Sequence, residues 1–205
     1  MDASRSRLLE LPRVAQQPDD HSIMIETGGP AIAALPMRLL RVRPVTPADT
    51  GLLADLIARS SDTSRLFRFF RPLRTDDAIW QEAARVTQRE PRLGTALVAT
   101  AGELGQESAV ALAELAHDRA APTIAELAVL VRDDAQRKGV GAELLRLLVA
   151  VARRRGVRML RATLWAENWA ARRLVRPLGP PHHTEIHRGE MTIWVELSAD
   201  PPPTE

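Results

Sequence analysis

The sequence predicts an α/β (α+β) fold: a central mixed, mostly antiparallel sheet of six to seven strands flanked by four helices, in the order β-α-α-β-β-β-α-β-α-β-β. Three observations predict it. Apolar spacing switches repeatedly between a helical period of about 3.6 and a strand period of about 2. Three strand-like runs follow one another with only turns between them, as in a meander. A further apolar run, Val129-Leu130-Val131, leads through a polar loop into a helix opening with Gly139 and Gly141. The 205 residues, 45% of them hydrophobic, suffice for one domain that buries about 70% of its unfolded surface.

Residues 1–37 carry no sustained period and contain Gly28-Gly29-Pro30 and Pro36, so they read as a loosely ordered N-terminal tail, with Met37 as an alternative start. The domain spans 38–198, and 199–205 form a Pro-rich C-terminal tail. Leu39 to Pro44 is the first strand. Thr46-Pro47-Ala48-Asp49 then offers an N-cap, a proline at the first helical position and an acid at the third, so a helix starts there with Leu52, Leu53, Leu56 and Ile57 as its stripe. A second helix begins at Thr75 and turns Ile79, Trp80, Ala83 and Val86 inward. Strands over 95–100, 109–117 and 124–131 follow, with turns at Gly102/Gly105 and Ala121-Pro122. The helix from about Lys138 to Arg155 buries Val140, Leu144, Leu147, Leu148 and Val151, and Arg153 to Arg155 before Gly156 suit its negative end. Val157 to Trp165 is a strand, and a shorter helix after Asn168 is ended or kinked by Pro177. His183 to Leu197 reads as a hairpin turning at Arg188-Gly189.

Composition excludes several functions. Without Cys there is no disulfide, thiolate nucleophile or zinc-cysteine site. Net charge is +2, and the basic residues, all Arg except Lys138, are spread among 26 acidic ones, which argues against nucleic acid. No apolar run approaches the roughly 20 residues needed to cross a bilayer, and residues 1–25 lack a signal-peptide core, so the expectation is a cytoplasmic protein without membrane contact. His183 and His187 would share a strand face beside His182, but no third ligand is spaced to complete a site, so no metal is expected.

The glycine loop carries the functional signal. Gly139 and Gly141 have no Cβ to hold a ligand away, so consecutive N–H groups at the helix start can point at an anion. The spacing Gln136-x-x-Gly139-x-Gly141 fits neither the Walker nor the dinucleotide pattern.

It resembles the pyrophosphate signature of the GNAT N-acetyltransferases, and the element order over 39–197 is similar to their fold. More narrowly, residues 42–49, Ser64-Arg65-Leu66-Phe67-Arg68-Phe69-Phe70 and Ala125-Glu126-Leu127-Ala128-Val129-Leu130-Val131 resemble the catalytic domain of bacterial Pat-type protein lysine acetyltransferases. The resemblance implies acetyl-CoA as co-substrate. Backbone groups of Val129, Leu130 and Val131 would meet the pantetheine arm, and Gln136, Arg137, Lys138, Gly139, Val140, Gly141 and Ala142 the pyrophosphate. Asn168 matches the family asparagine that contacts the coenzyme, with a plain N-cap as the other reading. The implied acceptor is a primary amine, in the first place a protein lysine and in the second a small amine, for a monomer or homodimer. A module that binds acyl-CoA without turnover is the rival.

Glu126 is the candidate base. An acceptor lysine of pKa about 10.4 is protonated at pH 7, and freeing its lone pair costs about 4–5 kcal/mol, which a nearby carboxylate offsets by taking the proton. Glu126 sits in an apolar strand at the place of the Pat-type base; a solvated face or an Arg partner are the alternatives, and Glu114 is the understudy. Many GNAT enzymes carry a tyrosine seven residues after the asparagine as acid for the departing thiolate, where this chain has Val175 and no Tyr anywhere. Pro180-Pro181 replace the aromatic expected after Gly179. Arg65, Arg68, Arg71 and Arg74 recur every three residues beside Phe67, Phe69 and Phe70, either to guide an acidic surface or as a solvated face over core phenylalanines, with Pro72 interrupting any helix.

Overall fold

The computed structural model describes residues 23–26, 39–103 and 105–197. Met37 and the 199–205 tail lie outside them, as does the rest of the N-terminal tail. One eight-stranded sheet runs in the order β1-β2-β3-β4-β5-β6-β8-β7, with β1 Ile23–Glu26, β2 Leu39–Pro44, β3 Gly94–Ala101, β4 Ser108–His117, β5 Ile124–Val131, β6 Met159–Trp165, β7 His183–His187 and β8 Glu190–Glu196. Only β5 and β6 pair in parallel.

The helices are α1 Thr50–Ala58, α2 Asp62–Phe69, α3 Asp76–Thr87, α4 Val140–Arg154 and α5 Trp169–Val175. Leu53, Leu56 and Ile57 of α1 and Ile79, Ala83 and Val86 of α3 pack with Val98, Leu112 and Leu130 on one face of the sheet. On the other face Val140, Leu144, Leu145, Leu148 and Ala152 of α4 meet Val110, Leu115, Leu127 and Leu160. Val175 of α5 packs against Ala162 and Leu164 on that second side.

The departures from expectation have local causes. A fifth helix, α2, stands between the helices expected at Thr46 and Thr75: Ser61 Oγ caps Ser64 N–H at 3.2 Å, Asp62 sits in the first turn, and the helix stops at Phe70 in a left-handed conformation, two residues short of Pro72. Residues 23–26, assigned to the tail, pair antiparallel with β2 as an edge strand. Trp80 is 52% exposed, because it lies one residue off the Ile79–Ala83–Val86 stripe. In α4, Leu145 and Val149 are buried while Leu147 and Val151 are only partly so, which rotates its inner face by about one position. Pro177 sits in a 3-10 turn, Arg176–Leu178, directly after α5.

Candidate active site

The sheet opens where β5 and β6 separate. Their parallel pairing ends at Glu126↔Arg161, while β5 continues against β4 to Val131 and β6 against β8 to Trp165. Arg132 N–H donates to Val110 O and Asp118 N–H to Ile124 O, so the even-numbered residues of β5 bond to β4. The peptide groups of Val129 and Val131 therefore face the gap. Gln136 Nε2 donates to Val131 O at 3.0 Å, which leaves the N–H and C=O of Val129 and the N–H of Val131 for a ligand.

Beyond Val131 the chain is pinned. Buried Arg132 grips Asp134 with Nε–Oδ1 2.6 Å and Nη2–Oδ2 2.8 Å, and this contact, over the opposing effect of burial, holds the Asp134 carboxyl below the usual range. Arg137 and Gly139 then adopt positive φ, 60° and 84°. Gly139 is the N-cap residue directly before the first turn of α4. Among the described residues, the N–H groups of 137 to 142 have no acceptor. Six donors at the mouth of a 15-residue helix make a cradle whose polarity suits an anion. Of the predicted cradle residues, Arg137, Lys138, Gly139, Val140, Gly141 and Ala142 contribute these main-chain groups. A Cβ on Gly139 would meet open space, whereas one on Gly141 would come within 3.2 Å of Val131 Cγ2 and 3.5 Å of Leu174 Cδ2, so Gly141 lets α4 approach β5 and α5. The Gln136 side chain turns back to Val131 O and Ser64 Oγ.

Glu126 stands at the fork, its side chain 44% exposed, with Oε2 accepting from Arg161 Nη2 at 2.9 Å. The Arg partner weighed against it from sequence is thus present, but Oε1 has no donor among the described residues. Arg161 lies over the Trp194 ring, 5.5 Å from its centroid. Neither residue stood out in the sequence; the only signal was an arginine alternating with buried Leu160 and Ala162 on a strand.

Glu114 behaves differently. It is 3% exposed and accepts from Arg68, from Arg89 Nη2 at 3.0 Å and from Arg85 Nη1 at 3.3 Å. Burial pushes its carboxyl upward, but the three guanidiniums outweigh burial and hold it below the ordinary range. A caged, ionised carboxylate is a poor proton acceptor, so Glu114 as understudy base is corrected to an internal counter-ion. Of the arginines at 65–74, Arg71 and Arg74 lie on the solvated face, whereas Arg65 and Arg68 do not. The side chains of Arg65 and Arg68 are only 16% and 11% exposed, and Phe67, Phe69 and Phe70 are half-buried rather than core. Phe70 stacks on Trp165 at 5.7 Å, and Trp165 Nε1 donates to Leu66 O at 3.3 Å, which lays α2 along the gap.

Known proteins share this fold. The family model described as Acetyltransferase (GNAT) domain matches residues 39–180. The chain belongs to the GNAT acetyltransferase family. It is 30% identical over 143 residues to Acetyltransferase PA5475 of Pseudomonas aeruginosa, covering 69% of this chain and 75% of that one. The crystal structure of the GNAT domain of S. lividans PAT superposes with a TM-score of 0.70 at 24% identity, over 89% of this chain and 100% of that chain. A variant of the cAMP-binding acyltransferase from Mycobacterium smegmatis gives a TM-score of 0.52 at 27% identity, covering 82% of this chain but 47% of the other. As a GNAT protein the chain is an acyltransferase, and the family uses acetyl-CoA as co-substrate for N-acetyl transfer.

The remaining GNAT positions fall as follows. Asn168 Oδ1 accepts from Ala171 N–H at 3.0 Å, which is the capping arrangement. Val175, at the position of the GNAT tyrosine, is buried with Leu164 and Val195. His183 Nε2 lies 2.9 Å from Glu185, and among the described residues no three His, Cys, Asp or Glu come together as metal ligands. No helix there is long and apolar enough to cross a membrane.

Proposed function

We propose that the protein transfers the acetyl group of acetyl-CoA to the Nζ of a protein lysine by direct attack within a ternary complex. The observation that carries this is the placement of Glu126 at the β5–β6 fork, with one carboxylate oxygen unengaged and the free Val129 peptide groups three residues along the same strand. In this reading the amides of 137–142 hold the diphosphate, and Val129 C=O and Val131 N–H receive the pantetheine amides. Val129 N–H donates to the oxyanion as the tetrahedral centre forms, an interaction worth about 3–4 kcal/mol in other acyl transfers. Glu126 takes the ammonium proton, directly or through water. With Val175 buried among Ala162, Leu164 and Val195 and no Tyr or Cys in the chain, the thiolate leaves unprotonated or takes its proton from water.

The likeness of residues 42–49, 64–70 and 125–131 to Pat-type enzymes and the fold match to the S. lividans PAT domain support a protein lysine as acceptor. A small amine is the second reading. The Arg161–Glu126 pair favours it, since adjacent opposite charges on an open gap match an amine with a carboxylate beside it.

Incubating a host lysate and a panel of free amino acids with labelled acetyl-CoA, and locating the label by mass spectrometry, tests both. Label on lysines of one protein, falling about 100- to 10,000-fold with Glu126→Gln, is expected. Label on free amino acids alone would replace the first reading with the second, and undiminished transfer by Glu126→Gln would remove Glu126 as base.

A further inference from the structure

We propose that Asp133 and Gln136 are positioning residues that tie the acceptor-side helix α2 to the coenzyme loop, so that filling the 137–142 cradle fixes α2 beside the gap. This rests on the acetyl-CoA reading of that cradle.

Helix α2 has no buried residue, so packing alone restrains it weakly. Its N-terminal end is instead held by a polar network. Asp133 Oδ2 accepts from Ser61 N–H at 2.7 Å, and Asp133 Oδ1 accepts from Ser61 Oγ at 2.7 Å and from Ser64 Oγ at 2.8 Å. Ser61 Oγ in turn caps Ser64 N–H. Gln136 Nε2 bridges Ser64 Oγ at 3.1 Å and Val131 O at 3.0 Å. One side chain thus touches the last residue of β5 and the first turn of α2, and it immediately precedes the first unpaired amide of the cradle.

The chemistry suits a lock. Burial raises the Asp133 carboxyl, but the Ser61 N–H and the two hydroxyls more than offset this and hold it below the usual range, so a charged acceptor faces three donors at neutral pH. The same helix carries Arg68, which caps Glu114, and Phe70, which covers Trp165 of β6. Any shift of the 133–136 turn relative to β5 therefore moves the wall against which an acceptor would lie.

Hydrogen exchange of the full chain with and without coenzyme A, alongside calorimetry, tests the tie. In the wild type, coenzyme A is expected to slow exchange at 137–142 and at the α2 amides of 65–70. Ser64→Ala removes the Gln136 contact and one of the three bonds to Asp133 while raising intrinsic helix propensity, so a serine with no part in the tie would leave the ligand-induced protection of α2 unchanged. The expected result is the opposite: loop protection retained, with the ligand-induced protection of α2 reduced on the order of fivefold, the exchange equivalent of about one hydrogen bond. Asp133→Ala serves as the second variant, with the same outcome. Binding of coenzyme A without protection of 65–70 in the wild type, or full α2 protection in both variants, overturns the tie and leaves the cradle intact. No calorimetric binding overturns the cradle and the tie together.

Discussion

Replacing Glu114 by Gln should cost stability far more than activity. The carboxylate is 4% exposed as a side chain and faces Arg68 and Arg89 at 11% and 16%, so its neutralisation strands two guanidiniums in a low-dielectric site. Breaking a buried pair by removing one partner costs about 3–5 kcal/mol. Arg85 is 43% exposed and keeps Glu82 at 2.8 Å, and the Gln oxygen still accepts one bond, so the loss belongs at the low end, about 3 kcal/mol. For a chain of this size that is a fall in Tm of about 6–12 °C. Burial lowers the Arg89 guanidinium pKa, and crowding by Arg85 and Arg68 adds to this against the pull of Glu114, whereas for Arg85 Glu114 and Glu82 more than offset burial. Both stay charged at neutral pH, so the cage depends on the carboxylate.

Urea unfolding of wild type and Glu114→Gln from pH 7 to pH 3 measures this. The folded carboxyl is depressed, so its contribution is fully present above the unfolded glutamate pKa of about 4.3 and is lost as pH falls through the lower folded value. The difference between the two proteins should therefore be largest at pH 7 and shrink in acid. Equal stability at pH 7, or a difference that does not change with pH, would refute the counter-ion argument. So would a loss of kcat/KM at 15 °C matching that of Glu126→Gln.

Asp49→Asn removes the charge that accepts from Arg43 Nη1 and Nη2 at 2.8 and 2.7 Å and from Thr46 N–H and Oγ1 at 2.7 and 2.8 Å, and should cost about 2–3 kcal/mol in urea unfolding at pH 7. Burial raises the Asp49 carboxyl and Arg43 and Thr46 more than reverse this, so the penalty should likewise fade below the unfolded aspartate pKa of about 3.9. Gly139→Ala places a Cβ at φ 84° with open space around it, so thermal unfolding should report about 1–2 kcal/mol of strain. Gly141→Ala keeps helical backbone but presses Val131 at 3.2 Å, costing about 1 kcal/mol, and calorimetry should find coenzyme A affinity reduced by both substitutions.

What the sequence revealed and what it hid divide along physical lines. Periodicity and caps exposed every element with a buried stripe, because burial against the sheet imposes the spacing; α1, α3 and α4 are such cases. Helix α2 buries nothing fully and so left no apolar period, and its one local sign was Ser61 followed by Asp62. The turn into α4 was legible because Gly139 and Gly141 answer backbone and packing requirements there. The partners of Glu126 and Glu114 were not, because ion pairs across strands and helices, such as Arg161 to Glu126 and Arg89 to Glu114, depend on register that no single segment encodes. Gln136 was read as a phosphate residue from its place in the motif, while its side chain serves Val131 O and Ser64 Oγ.

The two carboxylates on the α2 side of the sheet show why burial alone does not identify a base. Glu114 is the deeper, and desolvation by itself would raise its proton affinity toward neutral pH. Three guanidiniums cancel that rise, and with both oxygens engaged there is no lone pair directed at a third molecule. Glu126 meets one guanidinium through one oxygen and stands half-exposed where β5 and β6 part. In the proposed reaction an incoming ammonium would approach its other oxygen with the Arg161 contact kept, and Arg161 would steady the carboxylate as the proton moved. The division follows from register. Glu114 pairs with Ala128 across β4 and β5 and meets arginines of α2 and α3, whereas Glu126 pairs with Arg161 on the last rung joining β5 to β6, so two carboxylates two residues apart in register along β5 have different surroundings.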